Sequence, residues 1–161
     1  MTALLHTSRS LSTFLPFFLA LFFLASFAPS AGGAELKSKY FYDENGEVIR
    51  EEVGSAGSSR IDAWITYRDG HPILQAVDTN KDGKPDTWHH LSADRQVERT
   101  EKDSNGDGKP DVWITYQQGV ATKAEQDLDF NGLADRFIFY ESGKAVRAEE
   151  SVKRDGKITL W

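Results

Sequence analysis

An acidic nonapeptide recurs along this chain, and its spacing limits what the chain can fold into. Asp78-Thr79-Asn80-Lys81-Asp82-Gly83-Lys84-Pro85-Asp86 returns 25 residues later as Asp103-Ser104-Asn105-Gly106-Asp107-Gly108-Lys109-Pro110-Asp111. It returns again 24 residues after that as Asp127-Leu128-Asp129-Phe130-Asn131-Gly132-Leu133-Ala134-Asp135. Gly83, Gly108, Gly132 and Gly156 hold the same register. A period in the mid-twenties is one supersecondary unit per copy, too small to bury a face alone, so neighbouring copies must stack. Two residues beyond each copy stands Trp88, Trp113 or Phe137, in company with Ile, Thr, Tyr and Val. These residue types favour strands.

No stretch beyond residue 34 carries the i, i+3, i+4, i+7 apolar stripe of a helix. Turn signals fall between the strand-forming runs: Asn45-Gly46, Arg68-Asp69-Gly70, Ser92 to Arg95, Gln117-Gln118-Gly119 and Glu141-Ser142-Gly143. The expected fold is all-β, an antiparallel β-meander of tandem hairpin repeats of about 24 residues, with about eight to ten short strands. Acidic Asp-x-Asn-x-Asp-Gly-x-x-Asp loops join the hairpins. Gly54 to Ser59 occupies the register of a loop but offers only hydroxyls, and Arg154 to Trp161 is a remnant loop and strand. Worn terminal copies are usual in repeat arrays.

The loops have the chemistry of a hard-cation site. Calcium takes six to eight oxygens, and alternate residues of a tight loop can point inward together. Loop one offers Asp78, Asn80, Asp82 and Asp86, with the Lys84 carbonyl at position seven. Loop two offers Asp103, Asn105, Asp107 and Asp111, with the Lys109 carbonyl. Loop three offers Asp127, Asp129, Asn131 and Asp135, with the Leu133 carbonyl. Glycine at position six supplies the left-handed turn, and Pro85 and Pro110 hold the preceding residue extended. Three carboxylates per loop repel one another unless a cation is present. The same residues are also ordinary turn formers, but a turn has no need of aspartate at position nine, and all three loops have it.

These loops resemble those of EF-hands, dockerins and thrombospondin type 3 repeats over about nine residues each. The resemblance implies calcium and the loop ligands alone. An EF-hand closes with a bidentate Glu at position twelve, where this chain has His89, Ile114 and Ile138, and helices flank it where this chain has β-formers. The missing ligand implies weak binding, with a Kd of about 10⁻⁴–10⁻³ M. Glu101 or Glu125, just upstream of loops two and three, is the nearest carboxylate to complete a site. The hairpin period with its Tyr-x-x-Gly turns is similar to MORN-type repeats and, more so, to tandem-repeat exported bacterial proteins. That likeness spans most of Tyr40 to Trp161.

Compartment follows from the first residues. Arg9, an apolar run centred on Phe14 to Phe27 and a cluster of small residues up to Ala34 have the order of a secretory signal peptide. The expected organisation is a signal peptide over residues 1–34 and a β-hairpin repeat domain over 35–161, in the periplasm or outside the cell. Without the leader the chain carries 18 basic and 25 acidic residues. That balance argues against nucleic acid, and against a membrane once the signal is removed. The absence of cysteine excludes disulfides and thiolate metal sites.

Other constellations are thinner. His89 and His90 are adjacent and on a strand face opposite ways, so they form no zinc-binding pair. Trp64, Trp88, Trp113 and Trp161 recur at equivalent places, as repeat core or as a platform for cell-wall glycan. No nucleophile–base pair or phosphate loop is present. The leading expectation is a non-enzymatic exported calcium-binding repeat protein whose loops calcium rigidifies. The alternatives are a metal-free scaffold, with another envelope protein as partner, and a glycan-binding surface.

Overall fold

The computed structural model describes residues 37–54 and 60–151. The expected signal segment, residues 55–59 of the degenerate loop, and the remnant loop with Trp161 lie outside the described residues. Ten strands follow one another: β1 (Lys37–Tyr42), β2 (Val48–Gly54), β3 (Ala63–Arg68), β4 (His71–Val77), β5 (Thr87–Leu91), β6 (Val97–Lys102), β7 (Val112–Gln117), β8 (Val120–Gln126), β9 (Arg136–Glu141) and β10 (Lys144–Glu150). They form one antiparallel sheet whose spatial order is the order of the sequence. The expected meander of hairpins is therefore the fold.

Two kinds of connection alternate, each with its own chemistry. Asp69-Gly70, Gln118-Gly119 and Ser142-Gly143 have positive φ at both central residues, which defines the type I′ turn matched to strand twist. At the β1–β2 and β5–β6 turns only one residue, Gly46 or Arg95, is left-handed. There Asp43 and Ser92 each donate a backbone N–H across the turn, to the Glu47 and Gln96 carbonyls at 2.9 Å. Every hairpin pair carries a register shift beside its turn. The pairs joined by the long loops, β2–β3, β4–β5, β6–β7 and β8–β9, run in unbroken register. The loop end of the sheet is thus its regular end.

Antiparallel register places residues in rows across the sheet. One row reads Glu52, Trp64, Ala76, Trp88, Glu101, Trp113, Glu125, Phe137, Glu149. The next row on that face supplies Arg50, Arg99, Lys123 and Arg147, which pair with the acids two residues on in their own strands. Lys123 and Arg147 also lie over the Phe137 and Phe139 rings. Half-buried Trp113 therefore sits between two ion-paired glutamates, and Trp64 and Trp88 each lie beside one, with Ala76 between them.

The opposite face holds Val53, Ala63, Ile65 and Ala124, all buried. Among the described residues, buried polar residues outnumber buried apolar ones, and most of them are loop aspartates. Hydrogen bonding therefore has an unusual share in holding this sheet together. Within the strands Thr87, Thr100 and Glu51 are buried, and of these Glu51, 0% exposed, is the acidic one. Its Oε2 accepts from the Tyr67 hydroxyl at 2.9 Å, and its Oε1 has no partner. Burial, reinforced by Glu51, pushes the Tyr67 hydroxyl well above its ordinary pKa of 10.0. Removing that hydroxyl strands a second buried oxygen of Glu51. Tyr67→Phe is therefore expected to destabilise by about 1–3 kcal/mol, and Glu51→Gln by less, since it removes the buried charge itself. Urea melts at constant m-value measure both.

Candidate metal centre

The loops are built as one continuous ladder. At position nine, Asp86, Asp111 and Asp135 donate their backbone N–H to Val77, Lys102 and Gln126. Their carbonyls accept the N–H of the first residue of the next loop: Asp103 to Asp86 at 2.9 Å, Asp127 to Asp111 at 2.8 Å and Ser151 to Asp135 at 2.6 Å. Asp78 bonds Asp62 in the same way. The position-one and position-nine aspartates thus form a file along one end of the sheet. Asp78, Asp86, Asp111, Asp127 and Asp135 in it are buried.

Within each loop the aspartates organise backbone. At position one, Asp78 accepts from Lys81, Asp82 and Gly83. Asp103 accepts from Gly106 and Gly108, both at 2.7 Å, and Asp127 from Asn131 and Gly132. Positions four and six are left-handed in all three loops: Lys81 and Gly83, Gly106 and Gly108, Phe130 and Gly132. At position five, Asp82 and Asp107 accept from Lys84 and Lys109, and Asn131 from Leu133. Asn80 and Asn105 at position three turn their amide groups onto Asp82 and Asp107.

Position nine separates loop three from the others. Asp86 accepts four bonds: Thr79 N at 2.8 Å, Asn80 N at 2.9 Å, Thr79 Oγ1 at 2.7 Å and Thr87 Oγ1 at 2.8 Å. Burial raises its pKa, but the hydroxyl and amide bonds outweigh that and hold the carboxyl below its ordinary 3.8. Asp111 is served alike by Ser104 N at 2.8 Å, Ser104 Oγ at 2.7 Å and Asn105 N at 3.3 Å. In loop three position two is Leu128, which has no hydroxyl. Among the described residues, the hydrogen bond shown to Asp135 is that from Leu128 N, at 3.0 Å on Oδ2. Its Oδ1 has no hydrogen-bond partner, although the residue is 1% exposed.

Loop three is also where carboxylates converge. Oxygens of Asp127, Asp129 and Asp135 lie within 4.8 Å of one another. No second such group of acidic, histidine or cysteine side chains occurs among the described residues. Loops one and two carry asparagine at position three, where loop three carries Asp129, and their position-five carboxylates are tied to the Asn and Lys of their own loop. An unpaired buried carboxylate oxygen beside two more carboxylates is an arrangement that a divalent cation satisfies.

The neighbouring candidates are engaged elsewhere. Glu101 lies in the tryptophan row, 3.1 Å from Arg99 and 3.5 Å from His90, and Glu125 is 2.9 Å from Lys123. Neither belongs to the Asp127–Asp129–Asp135 group. His89 Nδ1 is 2.9 Å from Thr100 Oγ1, on the face opposite His90. Burial, with Lys102 and His90 nearby, lowers its pKa below 6.5. The feature that loop-ligand counting passes over is position two. Thr79 and Ser104 against Leu128 decide whether the position-nine carboxylate is satisfied from within. No protein-family model matches the chain, and no curated protein matches it.

Proposed function

We propose that this chain is a non-enzymatic, exported calcium-binding repeat protein in which loop three is the principal cation site. The observation that carries this reading is the buried, unpartnered Oδ1 of Asp135 within the Asp127–Asp129–Asp135 group. Asn131 and the Leu133 carbonyl complete the donor set that the loop chemistry supplies. Calcium there neutralises self-repelling charge and fixes the angle between the β7–β8 and β9–β10 hairpins, so metal binding and folding stability are linked.

Loops one and two favour a second, complementary role. Their aspartates are already bonded by their own amides and hydroxyls, which makes them metal-independent joints of a scaffold. Titration with calcium, followed by calorimetry and by terbium luminescence sensitised from Phe137 and Trp113, tests the division. The expected result is one equivalent per chain. At a free calcium level about 100-fold above Kd, stability rises by about 2.7 kcal/mol. A titration with no heat, no luminescence and no change in melting beyond that of matched ionic strength overturns the metal reading. Three equal sites overturn the division between the loops.

A further inference from the structure

Loop three differs from its two counterparts on its outer side as well. Leu128, Phe130 and Leu133, at positions two, four and seven, are 39%, 51% and 50% exposed. The same positions hold Thr79, Lys81 and Lys84 in loop one, and Ser104, Gly106 and Lys109 in loop two. Phe130 also has a φ of 59°, at the position where loop two places a glycine. A bulky side chain in that region is strained, and an exposed ring recovers little of the cost by packing within the chain. Between Asp127 and Asp135, three apolar side chains and Asp129 therefore share a single six-residue tip.

We propose that loop three is a cation-dependent docking loop for an anionic phospholipid surface. A divalent cation on Asp127, Asp129 and Asp135 bridges to a headgroup phosphate, while Leu128, Phe130 and Leu133 enter the interfacial layer. The inference rests on the metal-binding reading above and adds its partner. Three considerations select a lipid surface.

The first is charge. The carboxylates carry −3 between them, and an anionic surface repels that tip as it repels the acidic chain as a whole. A bound divalent cation reduces the group to −1 and offers a local positive centre. The charge argument against membranes thus holds for the cation-free loop and is reversed at this one point by the metal.

The second is coordination. Calcium takes six to eight oxygens, and position twelve, which closes an EF-hand, is here Ile138 in β9. Three aspartates, one asparagine and one carbonyl leave room for oxygens from outside the chain. A phosphate group supplies hard, anionic oxygens of the right kind.

The third is area. A stable protein interface takes about 800 Å² from each partner. Three half-exposed side chains on a loop tip fall well short of that. Interfacial membrane binding needs no matching surface, because apolar burial and electrostatic attraction add side chain by side chain.

The test is sedimentation of the full chain with vesicles of phosphatidylcholine and phosphatidylglycerol, or of phosphatidylcholine alone, in millimolar calcium or in chelator. The apolar N-terminal segment is common to every arm, so the calcium-dependent fraction isolates the loop. Calcium is expected to raise the bound fraction about tenfold on phosphatidylglycerol vesicles and little on phosphatidylcholine. The variant Phe130→Gly leaves every ligand of the loop and position two in place, at a residue whose φ of 59° suits glycine. It should bind terbium like the parent and lose the calcium-dependent vesicle fraction.

The two readings fail separately. A parent chain that binds calcium without any gain in vesicle binding overturns the docking proposal and leaves the metal site standing. A chain that binds no calcium overturns both. Undiminished calcium-dependent sedimentation of Phe130→Gly shows that the tip is not the docking element. Calcium-dependent association of the chain with itself, without vesicle binding, assigns the apolar tip to a protein contact and also overturns the proposal.

Discussion

Replacing Asp86 by alanine is expected to lower the melting temperature by about 8–16 °C, whereas Asp135→Ala in calcium-free buffer shifts it by no more than about 4 °C. The two residues occupy the same position of their loops, and both are buried, at 7% and 1% exposure. Their partners differ. Truncating Asp86 strands the amides of Thr79 and Asn80 and the hydroxyls of Thr79 and Thr87. A buried donor left unsatisfied costs about 1–3 kcal/mol, and rotating hydroxyls and entering water recover part of it, leaving about 2–4 kcal/mol. Truncating Asp135 strands one amide, Leu128 N, and removes a buried oxygen that has no partner. Those changes oppose each other. Calorimetric melts in chelator and in calcium separate the two, since calcium should raise the melting temperature of Asp86→Ala and leave that of Asp135→Ala unmoved.

Acid provides a second axis for the same prediction. The Asp86 carboxyl titrates below 3.8 in the folded chain, because hydroxyl and amide bonds overcome the effect of burial. Its folded pKa lies under its unfolded pKa, so its contribution is complete above the unfolded value. That contribution is lost as pH falls from about 4 through the folded pKa. The parent should therefore lose stability steeply below pH 4. Asp86→Ala, which has already lost that contribution, should show a shallower slope there. Parallel slopes would mean that the bonds to Thr79 and Thr87 contribute nothing to folding.

Much of the architecture was legible in the sequence because its determinants are local. Asp69-Gly70, Gln118-Gly119 and Ser142-Gly143 announce hairpin turns through residues that tolerate positive φ. The 24- to 25-residue register places every loop between them. The loop aspartates were legible too, as oxygen donors at fixed positions. What could not be read was which donors are already occupied. Thr79 and Ser104 look like neutral spacers in a ligand pattern, yet their hydroxyls fill the very oxygen that Leu128 leaves open. Glu101 and Glu125 are near the loops in sequence, but period-two alternation turns them onto the tryptophan row, where Arg99 and Lys123 hold them. Proximity along a strand says little about which face a side chain joins.

Exchanging those few residues should move the cation site from one loop to another. Leu128→Thr with Asp129→Asn gives loop three the hydroxyl and the amide of loop one. The new hydroxyl donates to Asp135 Oδ1 and the charge of the loop falls by one. Calcium affinity is expected to fall by about 10–100-fold, to or below the limit of detection. The reciprocal triple variant, Thr79→Leu, Asn80→Asp and Asp82→Asn, takes the hydroxyl from Asp86 and reproduces the loop-three donor order in loop one. It should be less stable than the parent in chelator, by about 1–2 kcal/mol for the lost hydroxyl bond. Calcium should restore that loss and raise the stoichiometry from one equivalent to two. Both loops leave β-strands in unbroken register and both pass through left-handed residues at positions four and six. The backbone is therefore common to the two, and the side chains at positions two, three and five are left to decide whether the loop holds a metal or holds itself.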